Sequence, residues 1–257
     1  GFKEIYIPLE NIAEGKLVKD IEVYPVTSLK QLVLHLNGVQ KIKPLPKENI
    51  LRNLDRAYDV DFSDVKGQPV ARRALEIAAA GGHSILMMGS PGCGKTMLAR
   101  RLVTILPPVT EAEALEITKI YSIVNMLPNA ESVMVERPFR SPHHSVSASA
   151  LLGGGTYPRP GEVTLSHNGV LFLDELPEFE RAALEMLRQP LEDGEVNISR
   201  VRGSMNFPSK FLLVAAQNPC PCGYYGDTLK HCVCNQTAID TYRKRIAEEI
   251  AVKASLG

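Results

Sequence analysis

The segment from Gly89 to Thr96 has the residue types and the spacing of a loop that binds phosphate. It fits the pattern G-x-x-x-x-G-K-[ST] at every position, with a strand-like run before it and a helix-like run after it. Its glycines let the backbone N–H groups turn inward toward phosphate oxygens, and the helix that follows adds the positive end of its dipole. The residues predicted to bind a nucleoside triphosphate here are Gly89, Ser90, Pro91, Gly92, Cys93, Gly94, Lys95, Thr96 and Met97.

Four side chains have predicted roles in phosphoryl transfer. Lys95 is expected to reach the β- and γ-phosphates, and the Thr96 hydroxyl to bind Mg²⁺. Two acids, Asp174 and Glu175, directly follow the apolar run 170–173. At the carboxyl edge of a sheet, Asp174 could hold the same Mg²⁺, while Glu175 could orient the attacking water. Together they predict a site for MgATP hydrolysis.

A further polar group follows a second apolar run, residues 211–215. Asn218 comes shortly after this run and directly before Pro219. In one interpretation its amide hydrogen-bonds the γ-phosphate or the attacking water, which makes it a catalytic residue beside Lys95 and Glu175. In the other, it caps the turn before Pro219. Spacing alone leaves both open.

Four of the five cysteines fall within fifteen residues, as two C-x-C pairs. In a reducing compartment, four thiolates in a turn-rich segment can close a tetrahedral Zn²⁺ site. Usual zinc sites space each pair more widely, so four reduced thiols are the alternative. A zinc ion with four protein ligands would brace the loop after Asn218 and take no part in catalysis. The candidate ligands are Cys220, Cys222, Cys232 and Cys234.

These segments alternate with runs typical of an α/β fold, a parallel sheet flanked by helices. Short continuous apolar runs favour buried central strands, and helical runs with capping residues separate them. The predicted strands are 84–88, 170–173 and 211–215, and the predicted helices are 69–80, 96–105, 111–121 and 180–191.

Residues 1–46 have a different pattern. Extended runs at 5–8 and 21–24 precede a helix at 28–36, which Ser28 is expected to cap and Gly38 to end. The proline-containing run 43–47 predicts a linker. This segment is too small to bury a core of its own, so we expect it to be the end of a larger domain.

Composition excludes several classes of protein. Hydrophobic residues make up 44% and charged residues 23%, which excludes wholesale disorder. Lys+Arg and Asp+Glu are both 29, so any DNA or RNA contact must come from local patches. No apolar run approaches the ~18 residues of a membrane helix, and the first residues do not resemble a signal peptide. We expect a soluble, cytoplasmic chain with no membrane partner.

The remaining candidate functional residues are two arginines in a locally basic stretch and three histidines. Alternation along a hairpin-like run would place Arg200 and Arg202 on one face, where they could track the phosphates of DNA without sequence specificity. A solvated polar face is the alternative. His143, His144 and His167 have no carboxylate or thiolate at ligand spacing, which favours structural hydrogen bonds or contact with a neighbouring subunit over metal binding.

Several longer stretches, taken together, resemble the AAA+ ATPases, and more closely their magnesium-chelatase-like branch and its YifB/ComM family. They span about residues 60–245 in the family's order, and such a series of matches is highly specific. The stretches are residues 64–68, 78–83, 137–144, 153–155, 158–163, 166–175 and 218–223.

The resemblance implies a P-loop AAA+ fold and an ATP-driven ring, usually a hexamer, that acts on DNA as a helicase extending branch migration in DNA uptake and recombination. It implies hairpins at residues 159–167 and 195–210 that project into the pore of the ring. It assigns these residue roles: Lys95 and Thr96 as the Walker A pair, Asp174 and Glu175 as the Walker B acids, Asn218 as sensor 1, and Val65 and Gln68 beside the adenine.

The resemblance also implies a division into two domains. Residues 1–46 are similar to the C-terminal fragment of a Lon-type, ribosomal S5-like domain with its linker, and residues 47–257 to an AAA+ core without its lid. After Arg245 the sequence departs from the family's arginine-finger segment. Because such a finger can contribute ~10³ or more in rate, we expect this chain to bind ATP and to hydrolyse it poorly on its own.

Two other functions use the same core. A magnesium-chelatase-type motor would drive metal insertion by a partner, although the leading partial domain and the cysteine cluster argue against it. A module that binds ATP in order to assemble, with little turnover, is the alternative from another class.

Overall fold

A computed structural model of the chain describes residues 2–16, 18, 20–47, 58–127, 133–154, 158–200 and 203–247. Its strands are β1 (Glu4–Pro8), β2 (Glu22–Val26), β3 (Ile85–Met88), β4 (Phe139–Arg140), β5 (Gly153–Gly154), β6 (Arg159–Pro160), β7 (Val170–Leu173), β8 (Glu195–Arg200), β9 (Gly203–Pro208) and β10 (Leu212–Gln217). Its α-helices are α1 (Ile12–Gly15), α2 (Leu29–Leu36), α3 (Pro69–Gly81), α4 (Lys95–Leu102), α5 (Glu111–Ile123), α6 (Ala148–Leu152), α7 (Glu162–Leu165), α8 (Arg181–Glu185), α9 (Arg188–Asp193) and α10 (Gln236–Ala247). No helix within these ranges combines the length and the apolar character needed to cross a bilayer.

The central sheet is parallel, with the strand order β3–β10–β7–β4. Gln217 pairs with Met88 and Ala215 pairs with Leu173, so β10 lies between the strand that leads into the phosphate loop and the strand that leads into the acids. Because the strands are parallel, their carboxyl ends meet at one edge, where α/β sheets bind ligands. This sheet and its helices confirm the predicted fold class.

Burial on both faces explains the continuous apolar sequence of β7. Val170 and Phe172 pack into one core together with side chains of α3 and α4. Leu171 and Leu173 pack into a second core on the other face, with side chains of α8, β8 and β9. All four residues are fully buried, so β7 is held rigidly and the acids after it start from a fixed position.

Of the helices and strands that the sequence predicted, all but one lie within a few residues of an observed element. The hydroxyl of Ser28 accepts the N–H of Gln31 at the start of α2, as expected of an N-cap. The single helix predicted at 180–191 is wrong, because α8 and α9 are separate helices. Pro190 has no N–H to donate, and its ring would crowd the carbonyl of Met186, where α8 has already ended.

The described residues fall into two units. The first takes its residues from Gly1–Ala57 and Val109–Glu136. In it, β1 pairs with β2 in parallel, and the predicted linker is tied to this pair because the N–H of Leu45 donates to the carbonyl of Val23 at 2.8 Å. Helix α5 belongs to this unit, and its side chains line a cavity of about 560 Å³ with those of β1. The predicted domain boundary adjoins residues outside the described ranges and stays a prediction.

The second unit takes its residues from Tyr58–Pro108 and Arg137–Gly257 and contains the central sheet. Strands β8 and β9 form an antiparallel ribbon, as expected for the hairpin at 195–210. The hairpin predicted at 159–167 is wrong: β6 pairs with the earlier strand β5, and the following residues form α7. Val163, Thr164 and Leu165 are buried, so this stretch is part of the core and does not project.

Candidate active site

The phosphate-binding loop connects β3 to α4 in the second unit. Gly92 and Gly94 have φ angles of +76° and +92°, a region that glycine reaches without steric cost. Lys95 is the first residue of α4, so the loop leads directly into a helix N-terminus. The N–H of Gly89 donates to the carbonyl of Gln217 at 3.3 Å, which ties the loop to the end of β10. This geometry agrees with the predicted cradle for phosphates.

The ammonium of Lys95 lies where the loop and the end of β10 meet. Nζ donates to the carbonyl oxygens of Gly89 and Ser90, at 2.7 and 3.1 Å, and to Oδ1 of Asn218 at 3.1 Å. Asn218 is therefore brought to the ammonium, whereas in the alternative interpretation it only capped a turn. Three oxygens hold the cation at the mouth of the loop.

The Walker-type pair of a hydroxyl and an acid is also assembled. Oγ1 of Thr96 donates to Oδ2 of Asp174 at 2.6 Å, although the two residues are 78 positions apart in the sequence. The other oxygen, Oδ1, accepts the N–H of Glu175 at 3.0 Å. Hydroxyl and carboxylate oxygens are the ligands that Mg²⁺ prefers, so this pair fits the predicted metal.

Glu175 has an unusual backbone and a partner that sequence reasoning missed. Its φ of +52° lies in the left-handed region, where non-glycine residues are strained and often functional. Its Oε2 lies 3.4 Å from Nδ1 of His144, and the ring of His144 contacts that of His143, with 4.0 Å between centroids and a 35° tilt. Both histidines follow β4, and the carboxyl end of β4 lies at the same edge of the sheet as that of β7, which Glu175 follows. This position is the signal by which the contact could have been found. By contrast, His167 is buried and accepts the N–H of Lys210, in the predicted structural role.

A cavity of about 460 Å³ opens beside the phosphate loop, between α3 and β3. Gln68 lines it, and Nε2 of this side chain donates to the carbonyl of Cys93 at 2.7 Å. Val65 is 2% exposed in the adjacent core and is not among the lining residues. The walls are largely apolar, and apolar walls next to a phosphate cradle suit a flat nucleobase. The cavity is lined by Gln68, Pro69, Val70, Ala71, Ala74, Ile85, Leu86, Met87, Met88, Cys93, Lys95 and Leu98.

The four clustered cysteines converge at one point. The Sγ atom of Cys220 lies 3.4 Å from that of Cys222 and 3.7 Å from that of Cys232, and the latter two are 3.6 Å apart. With Cys234 included, all four sulfur atoms lie within 4.8 Å of one another. A tetrahedral Zn²⁺ with Zn–S bonds of about 2.3 Å requires sulfur separations of about 3.8 Å. The cluster has nearly these dimensions.

Two thiols of the cluster have pKa values shifted in opposite directions. Backbone N–H groups of Tyr224 and Val233 donate to Cys222 and lower its pKa to about 6. The pKa of Cys232 is raised to about 12: the N–H of Cys234 lowers it, but burial and hydrogen bonds with the neighbouring thiols outweigh that effect. Backbone donors aimed at sulfur are suited to thiolates, the form that binds metals.

Two arginines of the basic stretches, Arg140 and Arg137, have partners within the second unit. Arg140 makes two hydrogen bonds to the carboxylate of Glu162, at 2.6 and 2.7 Å. Arg137 donates to the carbonyls of Pro107 and Asn168, both at 2.6 Å, so these two arginines make internal contacts. Arg202 and the side chain of Arg200, the candidate DNA contacts, lie outside the described residues.

The family described as magnesium chelatase, subunit ChlI, matches residues 61–256. The competence protein ComM of Haemophilus influenzae is 49% identical over 229 residues, covering 88% of this chain and 45% of that protein. The uncharacterized protein YifB of Escherichia coli is 45% identical over 239 residues, covering 91% and 46%. The magnesium-chelatase 38 kDa subunit of Rhodobacter capsulatus is 26% identical over 176 residues, covering 62% and 50%. The chain thus spans about half the length of the curated relatives it matches.

Among solved structures, the complex between subunits BchI and BchD of magnesium chelatase, based on a cryo-EM reconstruction, matches with a TM-score of 0.49 and 24% identity. The match covers 73% of this chain and 66% of that one. NtrX from Brucella abortus in complex with ADP matches with a TM-score of 0.40 and 19% identity, covering 60% and 31%.

Proposed function

We propose that this chain, which belongs to the magnesium chelatase subunit ChlI family of AAA+ ATPases, binds and hydrolyses MgATP as the motor module of a protein that moves DNA. The ATPase proposal rests on the residues that follow strands β3, β7 and β10, because they converge at one edge of the sheet. Thr96 contacts Asp174 across the sheet, and Lys95 contacts Asn218 beside them. Such convergence of an ammonium, a hydroxyl, an acid and an amide suits phosphoryl transfer, which depends on positioning and charge.

Each residue has a proposed task at this site. Lys95 binds the β- and γ-phosphates, and Thr96 and Asp174 hold Mg²⁺, which neutralises phosphate charge when bound. Glu175 orients and polarises the attacking water, and Nδ1 of His144 lies 3.4 Å from its carboxylate. Asn218 contacts the γ-phosphate or that water.

The proposal that the motor acts on DNA is supported by the relatives and by the β8–β9 ribbon. The identity to the competence protein ComM exceeds that to the magnesium-chelatase subunit, at 49% against 26%. In the sequence, Arg200 is the last residue of β8 and Arg202 directly precedes the first residue of β9. We propose a ring of identical chains, a hexamer, in which these arginines follow the phosphates of a strand during helicase or branch-migration activity.

The cysteine cluster is proposed to hold a structural zinc ion. Four sulfurs at nearly tetrahedral separations would fill all coordination positions, so the metal would brace the fold and leave no position for substrate. Free thiols of this kind favour a reducing compartment, which in a bacterium is the cytoplasm.

The match to the magnesium-chelatase 38 kDa subunit favours a second candidate, a motor that drives metal insertion. It uses the same nucleotide residues, and DNA is the discriminating ligand: a metal-insertion motor has no reason to bind it. An assembly module would bind ATP with little turnover.

DNA binding is tested by fluorescence anisotropy with labelled single strands of two unrelated sequences. We expect equal affinities for both, falling linearly with salt on logarithmic axes. Because each phosphate contact contributes about 0.7 to that slope for single strands, replacing Arg200 and Arg202 with alanine should flatten it by about 1.4.

The matched control removes two exposed helix arginines that pair with local glutamates, Arg73 and Arg181. The control should keep the wild-type slope. Equal slopes in the two double variants would refute the proposed role of the ribbon, and no binding to either sequence would refute DNA as the partner.

A further inference from the structure

The segment bounded by the clustered cysteines, residues 220–234 and here called the cysteine loop, contacts the phosphate-binding loop directly. Oγ of Ser90 donates to Oδ2 of Asp227 at 2.5 Å, across 137 positions of sequence. Asp227 lies between the two cysteine pairs. A side chain of the cysteine loop thus holds a residue of the phosphate-binding loop.

Asp227 is fixed by further hydrogen bonds within its own loop. Its Oδ1 accepts the N–H groups of Leu229 and Lys230, at 2.7 and 3.0 Å. The bond from Ser90, followed by these two, lowers the pKa of Asp227 below its usual value, so the carboxylate is ionised at neutral pH. The position of the carboxylate therefore depends on how the cysteine loop is folded.

A second contact packs the backbone of Gly223 against the ring of Pro91. Gly223 has a φ of +86°, and a Cβ atom there would lie 2.6 Å from both Cγ and Cδ of Pro91. The N–H of Gly223 donates to the carbonyl of Cys220 at 2.9 Å, so the contact lies in the turn of the first cysteine pair. That turn packs on Pro91 with no room for a side chain between them.

The third connection between the cysteine cluster and the nucleotide site is the backbone from Asn218 to Cys220. Asn218, which accepts a hydrogen bond from Lys95, precedes the buried Cys220 by two residues. The cluster is thereby joined to the nucleotide site at Ser90, at Pro91 and at Asn218. If the cysteine loop becomes more or less ordered, the positions of all three residues are affected.

We propose that metal binding at the four cysteines and nucleotide binding at the phosphate loop are thermodynamically linked, with Asp227 as the positioning residue between them. Zinc folds the cysteine loop, and the folded loop holds Ser90 and Pro91 in the arrangement that the phosphates require. Pre-organisation of this kind raises affinity because less ordering remains to be done on binding. This inference rests on the proposed function for both sites, and it adds that the zinc site controls nucleotide affinity.

Linkage makes the effect reciprocal. If Zn²⁺ tightens nucleotide binding by some factor, nucleotide must tighten Zn²⁺ binding by the same factor. Coupling between sites in proteins is commonly about 5- to 150-fold, and we expect about 10-fold for contacts of this number. If Asp227 took no part in the linkage, replacing it would leave the zinc dependence of nucleotide affinity unchanged.

The test measures the Kd of MgADP by calorimetry for the Zn²⁺-loaded and the chelator-stripped chain. It also measures the Kd of Zn²⁺ by chelator competition, with and without MgADP. The key variant is Asp227→Ala, which retains all four thiols, and the control is Asp193→Ala, at an exposed carboxylate at the end of α9. Circular dichroism and zinc content establish that each variant is folded and loaded.

We expect stripping to weaken MgADP binding about 10-fold in the wild type and in Asp193→Ala. Loaded Asp227→Ala should bind MgADP about as weakly as the stripped wild type and should lose most of the remaining zinc dependence. The factor by which MgADP tightens Zn²⁺ binding should equal the factor by which Zn²⁺ tightens MgADP binding.

Equal MgADP affinities with and without Zn²⁺ in the wild type would overturn the linkage alone. Equal zinc dependence in Asp227→Ala and wild type would also overturn it, as would failure to bind Zn²⁺ stoichiometrically. If no form binds nucleotide, the linkage and the proposed ATPase function fail together.

Discussion

Replacing Lys95 with alanine is expected to weaken ATP binding by at least about 100-fold. The ammonium lies against two loop carbonyls and Asn218, poised at the mouth of the cradle, and no neutral side chain can replace its charge there. Hydrogen bonds to charged groups contribute about 1.5–3 kcal/mol each, so the loss of two bonds to phosphate corresponds to at least a hundredfold change in Kd. Calorimetry with MgATP measures it.

Lys119→Ala is the matched control, because it removes the same charge from an exposed position on α5 in the first unit. Its affinity should equal that of the wild type. If Lys95→Ala binds MgATP as tightly as Lys119→Ala, the nucleotide site lies elsewhere.

Replacing Glu175 with glutamine should lower ATP hydrolysis by about 100-fold or more while nucleotide affinity changes little. Positioned acid–base groups contribute about 10²–10⁴ in rate. The amide is isosteric with the carboxylate but cannot polarise water in the same way, and it fits the same left-handed backbone. Single-turnover hydrolysis by the full natural protein at saturating MgATP separates the chemical step from binding.

Glu178→Gln provides the control, since this exposed acid ends the short 3-10 turn, Leu176–Glu178, that directly follows Glu175. It should hydrolyse ATP at the wild-type rate. A Glu175→Gln variant that hydrolyses normally would remove Glu175 from the chemical step, and one that loses ATP binding would place it in binding.

The parts of the fold that sequence predicted well have local causes. Strand β7 is a continuous apolar run because both of its faces are buried. Helices α2 and α5 start where Ser28 and Thr110 supply side-chain oxygens to orphaned N–H groups. The phosphate loop follows from glycines that must adopt positive φ. Each signal lies within a few residues of the feature it predicts.

The parts that sequence could not predict depend on distant partners. Ser90 meets Asp227, and His144 meets Glu175, only after the strands have been ordered in the sheet. The two internal arginine contacts are of the same kind, since Arg140 has charge that suits DNA and has its partner in Glu162. The charge of a side chain indicates which kinds of group it can bind. The fold decides which of these groups lies within reach.

The nucleotide residues illustrate both cases. Asn218 had two interpretations in the sequence, and its contact with Lys95 favours the one in which it serves the site. Gln68 lines the cavity and Val65 packs in the adjacent core, and the position of both beside the adenine stays a prediction.

The most direct test of the central claim is the rate of ATP hydrolysis by the full natural protein, measured against increasing single-stranded DNA. Heparin serves as a polyanion control and Lys95→Ala as the blank. A motor that moves DNA predicts saturable, several-fold stimulation by DNA, none by heparin, and no turnover in the blank. Turnover that is lost in Lys95→Ala but indifferent to DNA would contradict the account and favour a metal-insertion motor.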